Sequence, residues 1–386
     1  MKYNFVVLPG EHERIACPVK VVVPAKGNFP PVCILRDVES DKSYIAQTYR
    51  RSEKELEVTF VIDSLPPKYE MEALLTDEVP ADLSGVENGV TLSESANNQI
   101  ECTIGGQPFT TFTFAGYSKP FLYPLLAPSG VGVTRSLNEN KTEGETTDHV
   151  HHRSVWSAYG DVNGHDYWGE GRGHGLQIAK KVTILEYGPV CGTILSQIAW
   201  QTQKGAIDLN ETRIVTIYGL VPDVRLVDFD IQLTPATGPV KFGDTKEGGI
   251  LALRVATAMD VPKGGKIQNS VGGIGEAECW GKQADWCDYS GVVEGKSVGA
   301  AILHHPDSAT FPSYWHVRNY GLMGANPWGL SEFKGKAYNG SFTLEKGKFL
   351  SFKYRLLVHA GDANTGNVAK YYLDYAIPPK IATFNL

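Results

Sequence analysis

From end to end this chain is broken into short runs of alternating or β-branched residues, and apolar residues almost nowhere recur at helical spacing. Lys20-Val21-Val22-Val23, Glu57-Val58-Thr59-Phe60-Val61-Ile62, Phe112-Thr113-Phe114, Val182-Thr183-Ile184-Leu185, Thr212-Arg213-Ile214-Val215-Thr216-Ile217 and Leu226-Val227-Asp228-Phe229-Asp230-Ile231 all read as strands. Such side chains suit a pleated surface, and the Gly, Pro, Asn and Asp between the runs supply turns. Helical spacing is confined to a stretch near residues 365–372. The chain is therefore expected to be all-β.

With 386 residues the chain exceeds what one small sandwich needs. Polar, turn-forming stretches at 80–85 and 93–98 suit a boundary. Residues 1–95 are expected to form a small N-terminal, immunoglobulin-like β-sandwich, and residues 96–386 a large double-sheet β-supersandwich. No fixed-period repeat of propeller or solenoid type is found. Hydrophobic residues make up 42% and charged residues 20%, enough apolar content for such cores.

A formal charge of −7 gives no basic field, which argues against nucleic acid or an anionic membrane as partner and in favour of a small-molecule or glycan substrate. No run of 18 apolar residues is present, so no spanning helix is expected. The opening Met1-Lys2-Tyr3-Asn4-Phe5-Val6-Val7-Leu8-Pro9 is too short for a signal peptide. A trimmed leader would imply a periplasmic or secreted protein, and otherwise a cytoplasmic one is expected; oligomeric state is not encoded. Six cysteines are dispersed without a C-x-x-C pair, so most read as small buried hydrophobes, although Cys17 and Cys33 fall on strands expected to be neighbours.

Eight of the ten histidines lie in two windows, residues 149–174 and 304–316, both rich in Trp, Tyr, Asp, Glu and Arg. Histidine titrates near neutrality and ligates metals, so the clustering points to a polar cleft. In His149-Val150-His151-His152, an extended backbone would put His149 and His151 on one face and His152 on the other. His149 and His151 would then serve as a metal half-site, completed by a third ligand such as His316, or as one wall of a sugar pocket. No cofactor is required by the pattern, and a divalent metal is the alternative. The carboxylate that a cupin places soon after such a pair is replaced by Ser154-Val155-Trp156-Ser157. Asp161 and Glu170 are close enough to return to the pocket through the turns at Gly160, Gly164 and Gly169, and Asp148 is placed to hold an imidazole tautomer.

Glu247 enters the apolar run Leu251-Ala252-Leu253-Arg254-Val255, placing a candidate base at a strand end. Arg254 within that run needs a carboxylate or a substrate oxygen. In Trp315-His316-Val317-Arg318, alternation sends His316 and Arg318 to one face and Trp315 and Val317 to the other. Trp156, Trp168 and Tyr320 suit stacking on sugar rings, whose hydroxyls would be held by His151, Asp161, His305 and Asn326. The sequence lacks G-x-S-x-G, Walker and dinucleotide motifs, and the glycine-rich 169–175 stretch opens no helix.

Several motifs occur together: Lys119-Pro120-Phe121-Leu122-Tyr123-Pro124-Leu125, Gly130-Val131-Gly132-Val133-Thr134-Arg135, the 148–168 stretch, Lys246-Glu247 with Arg254, and His305-Pro306 through Asn326-Pro327-Trp328-Gly329. In this order over about residues 95–385 they resemble the bacterial family labelled PmoA-like or methane oxygenase PmoA. A methane monooxygenase subunit needs membrane helices, which this chain lacks, so the label says little about activity. The family is similar to galactose-mutarotase-like supersandwiches, and fold alone does not fix function. The mutarotase scheme implies Glu247 as base, His152 or His316 as acid, and Arg135, Arg254 and Arg318 as clamps on substrate oxygens. Mutarotases do not generally carry the dense His-x-His-His run, so epimerase, lyase or hydrolase chemistry on a modified sugar fits equally. The leading expectation is a carbohydrate-active acid/base enzyme; a metal-dependent oxidoreductase and a non-catalytic glycan-binding protein are the alternatives.

Overall fold

The computed structural model describes residues 2–81 and 89–383. The chain is all-β, built from three large sheets in which the strand pairings are antiparallel. Seven strands form the first sheet, in the order Arg14–Pro24, Glu55–Leu65, Ser43–Arg50, Val32–Asp37, Met71–Thr76, Lys2–Leu8 and Lys380–Thr383. They share a core that includes Phe5, Val19, Leu35, Phe60 and Leu75. The alternating burial of Lys2–Leu8 and Arg14–Pro24 shows the two-residue period that produces it. Cys17 and Cys33 are not neighbours, because two strands separate theirs; all six cysteines are buried free thiols.

Two eight-stranded sheets make up the larger part. The back sheet runs Leu176–Tyr187, Cys191–Gln201, Ile207–Tyr218, Arg225–Pro235, Leu350–Ala360, Lys296–His304, Trp286–Val293 and Lys266–Asn269. The front sheet runs Tyr314–Val317, Leu322–Asn326, Gly248–Arg254, Val155–Tyr159, Phe121–Leu125, Gln107–Thr113, Gln99–Ile104 and Val90–Ser95. Residues of both meet in one core, where Ile194, Trp200, Val215 and Phe229 of the back sheet join Val155, Leu251, Leu253 and Met323 of the front sheet. This is the sandwich arrangement that strand patterning implied.

Val90–Ser95 pairs with Gln99–Ile104 and so belongs to the front sheet, while Lys380–Thr383 crosses back to pair with Lys2–Leu8. Of the turn-rich stretch at 80–85, residues 82–85 lie outside the described residues. The helical stretch near 365–372 is realised as Val368–Ala376, preceded by Asn367 in the left-handed region.

Gln47 fastens the first sheet to the back sheet. Its Nε2 donates to Glu186 at 2.8 Å and to the Cys191 carbonyl at 3.0 Å, and its Oε1 accepts from the backbone N–H groups of Val190 and Cys191. The amide side chain thus satisfies backbone groups that would otherwise be buried without partners. Val61 and Ala16 pack beside it against Val190, Tyr218 and Leu357.

Candidate functional site

Every residue of Gly248–Arg254 is buried because both faces of the front sheet are covered. Leu251 and Leu253 point into the main core, whereas Ala252 joins Trp156, Ala158, Trp168 and Leu322 in a second apolar cluster on the outer face. The same alternation operates in Tyr314–Val317, as expected: Trp315 and Val317 enter the main core and His316 lies beside Trp168 on the outer face. That outer face gathers most of the candidate residues.

The histidine run differs from the extended segment expected. Residues 149–152 form a turn closed by the His152 N–H donating to the His149 carbonyl at 2.9 Å, with His149 at φ 43°. All three imidazoles therefore converge. His149 and His152 stack 4.8 Å apart, and His151 meets His152 edge-on at 4.5 Å and His149 at 5.7 Å. Tyr320 stacks on His149 at 4.9 Å and Trp156 stacks on His152 at 5.2 Å. Four rings, Tyr320, His149, His152 and Trp156, thus form a column from the surface into the outer apolar cluster.

Charge explains the turn. Arg135 donates to the Asp148 carboxylate at 2.8 Å and to the carbonyls of Asp148 and His149. Arg254 donates to the same carboxylate at 2.9 Å and to His152 Nδ1 at 3.0 Å. The partner required by Arg254 is therefore Asp148, and both buried arginines hold the loop where substrate contacts had been expected. Burial raises the Asp148 pKa, but hydrogen bonds from His149 and Arg254, with the Arg254 charge, outweigh it and hold the carboxyl at about 2. Since Arg254 can only donate, His152 Nδ1 accepts and the ring proton sits on Nε2. Burial, then the charges of His151 and Arg254, push the His152 pKa well below 6.5.

Glu247 and His316 approach the loop from the other side. The Trp168 ring centroid lies 5.6 Å from that of His152, 6.2 Å from His151 and 6.4 Å from His316. Glu247 is about half exposed, its side chain 46% accessible, and accepts a hydrogen bond from Lys246 at 2.8 Å. Burial pushes its carboxyl up, but the Lys246 bond and the charges of His316, Lys246 and His151 bring it below the usual value. Burial lowers the pKa of His316 to about 4 against the opposing Glu247 carboxylate. Burial, with Lys119 and His149, lowers that of His151 to about 4. Near neutrality the site therefore holds an ionised carboxylate within electrostatic reach of two uncharged imidazoles. Close approach positions it: the Gly160 N–H donates to the Glu247 carbonyl at 2.7 Å, and a Cβ at Gly160 would lie 2.6 Å from that oxygen.

The remaining candidates take other places. Trp156 and Trp168 are each 1% exposed and offer no free ring face to a sugar, although the indole N–H of each lacks a partner. His316 Nδ1 is likewise buried without one. Asn326 spends its amide internally, donating to the Thr245 and Lys246 carbonyls and accepting from the N–H groups of Trp328 and Gly329, so it fixes the turn that presents Glu247. Asp161 accepts from the Gly164 N–H and shapes a turn. Arg318 pairs with Glu276 at 3.4 Å and lies over Tyr320. His305 sits elsewhere, packed on Tyr375 and accepting from the Asp307 N–H, because the second window is split between His304 on the back sheet and His316 on the front.

Among the described residues, no group of three or more His, Cys, Asp and Glu side chains is arranged to hold a metal ion. Lys119 also belongs to the site, though nothing in its sequence surroundings marks it. It is 2% exposed beneath the histidine turn, donates to the Trp168 carbonyl at 2.6 Å, and has its pKa lowered to about 8 by burial against the opposing Glu170 charge. A lysine in the bend before the strand Phe121–Leu125, with Pro120 beside it, carries no sequence signal of such burial. Glu170 in turn receives Arg153 through two bonds of 3.1 and 2.7 Å, locking the loop that supplies Trp168.

These elements lie within a segment that a family model recognises, spanning residues 99–373. The chain belongs to DUF6807, a family of unknown function. The DUF6807 segment includes most of the front sheet and all of the back sheet and the candidate site, and leaves out every strand of the first sheet. No curated protein matches the chain. No helix among the described residues is long and apolar enough to cross a membrane.

Proposed function

We propose that the chain is an acid/base enzyme acting on a sugar or sugar derivative, with Glu247 as proton acceptor and His316 and His151 as neutral imidazoles that hold the substrate's oxygens. The observation that carries this reading is the half-exposed Glu247, ionised and within electrostatic reach of two imidazoles whose burial keeps them uncharged. A carboxylate in that state takes a proton from a hydroxyl or an activated C–H, and a neutral imidazole hydrogen-bonds the oxygen on which charge develops. His152 acts as a positioning residue, since Arg254 occupies its Nδ1 and stacking fixes its ring. A sugar as substrate, with epimerisation, elimination or hydrolysis as the reaction type, is what the sequence resemblance to galactose-mutarotase-like supersandwiches implies, and the antiparallel double sheet is compatible with it.

The test follows a panel of neutral sugars, uronic acids and amino sugars by proton NMR in deuterated water. Turnover or solvent-deuterium exchange is expected for at least one class, and Glu247→Gln should slow it about 100-fold or more while remaining folded. Unchanged turnover in that variant would remove Glu247 from the mechanism. Binding without turnover or exchange would make the protein a glycan-binding module.

A further inference from the structure

Seven arginines among the described residues are buried, and six of them meet a carboxylate. Arg14 pairs with Asp374, Arg135 and Arg254 with Asp148, Arg153 with Glu170, Arg213 with Glu211 and Arg355 with Asp228. Arg225 is the exception. It opens the back-sheet strand Arg225–Pro235 and is 8% exposed. Its Nη1 donates to the carbonyls of Val224 at 3.0 Å and Pro222 at 3.4 Å, and no bond to Nε or Nη2 is found among the described residues. Burial lowers its pKa, and no carboxylate opposes that effect. A guanidinium taken from water without a counter-charge is costly, and the other six arginines show how this fold ordinarily avoids that cost.

Arg225 lines a cavity of about 690 Å³ between the turn after Gln99–Ile104, the segment following Phe121–Leu125 and the turn before Arg225 itself. Ile104, Pro108, Leu126, Ala127, Pro128 and Pro222 share its wall with Gln107, Ser129 and two glycines, and Arg225 is the one charged residue among the described residues lining it. The volume suits a small organic ligand. With Nη1 engaged, the Nε–Nη2 edge remains, and that edge matches the two oxygens of a carboxylate.

We propose that this cavity binds a small monocarboxylate with a partly apolar body, its carboxylate on the Nε–Nη2 edge of Arg225. One guanidinium balances one negative charge, which favours a carboxylate over a doubly charged phosphate. The prolines and aliphatic side chains take the apolar body. The cavity shares no residue with the Glu247 site, so either reading can fail without the other.

The test titrates the full chain with benzoate, benzamide and inorganic phosphate, read by calorimetry and saturation-transfer NMR. Benzoate is expected to bind at least tenfold more tightly than benzamide and more tightly than phosphate. Arg225→Gln should abolish the preference and Arg225→Lys should keep part of it. Ser129→Trp, which obstructs the cavity but leaves the guanidinium in place, should block benzoate and decides the matter if circular dichroism shows Arg225→Gln unfolded. Equal binding of benzoate and benzamide, tighter binding of phosphate, or undiminished benzoate binding by folded Arg225→Gln or by Ser129→Trp would overturn the proposal.

Discussion

His152 on the front sheet's outer side and His359 on the back sheet are both buried, yet their partners drive them to opposite charge states. His359 Nε2 donates to Asp288 at 2.8 Å and Nδ1 to the Ala360 carbonyl at 3.0 Å. Burial favours the neutral ring there, but the Asp288 charge and hydrogen bond outweigh it and raise the pKa. His152 instead meets a guanidinium, and burial and positive neighbours act together to keep it neutral. Partner identity, more than burial, decides which histidine is locked in an ion pair and which is part of an uncharged imidazole cluster.

Acidification should break the contrast most strongly. His152 and His316 are 3% exposed, and their folded pKa values lie below the unfolded 6.5, so the unfolded state binds protons first as pH falls. Stability is full above 6.5 and is lost progressively below it, for His316 until about pH 4. By pH 5 the His316 ring alone should cost roughly 2 kcal/mol, and His152 adds a loss of the same sign. His359 carries the reverse sign: its raised pKa stabilises fully below 6.5, and the gain is lost as pH rises through the folded value. Urea melts across pH 4–9 measure both slopes, and a flat acid limb would refute the neutral imidazoles.

Asp288→Ala removes the counter-charge of His359 in a pair that is 0% exposed on both sides, and about 3 kcal/mol of stability should go with it. The same melts at pH 6 read the loss, and the variant should also lose the alkaline limb assigned to His359. Asp148→Asn sharpens the other half of the comparison. It leaves Arg135 and Arg254 facing each other without their shared carboxylate, but Asp148 is 39% exposed, so solvent reduces the cost to about 2 kcal/mol. Limited proteolysis should then show faster cleavage around residues 141–151. Glu247→Gln should change stability by less than about 0.5 kcal/mol, because its Lys246 partner is also well exposed. A large loss in that variant would mark Glu247 as part of the framework.

Period-two patterning made the sheets legible, and it also placed His316 correctly opposite Trp315 and Val317. The same rule failed at His149-Val150-His151-His152 because it assumes an extended backbone. There, Asp148 with two arginines distant in sequence imposes a turn, and no local pattern announces Arg135 or Arg254 as its source. Arg254 was recognised as needing a partner, since a strand-interior charge is costly wherever the chain puts it. Trp156 and Trp168 were expected to offer sugar platforms but are sealed, because composition shows that an aromatic is present without showing which side of a sheet is covered. His305 separates from His316 for a related reason: a connection between two sheets lies between them, and proximity in sequence ends where the chain changes layer.

Gln47 gives the join between the first sheet and the back sheet a mechanical character. Hydrogen bonds to Glu186 and to the backbone of Val190 and Cys191 converge on one uncharged side chain that behaves as a peptide group borrowed from another strand, so it acts as a rivet set within a wider apolar seam. Rotation of one body against the other must shear those bonds together. Torque applied to the first sheet is therefore delivered in part at Val190 and Cys191, the edge from which Cys191–Gln201 runs through the back sheet, and in part through the buried Arg14–Asp374 pair.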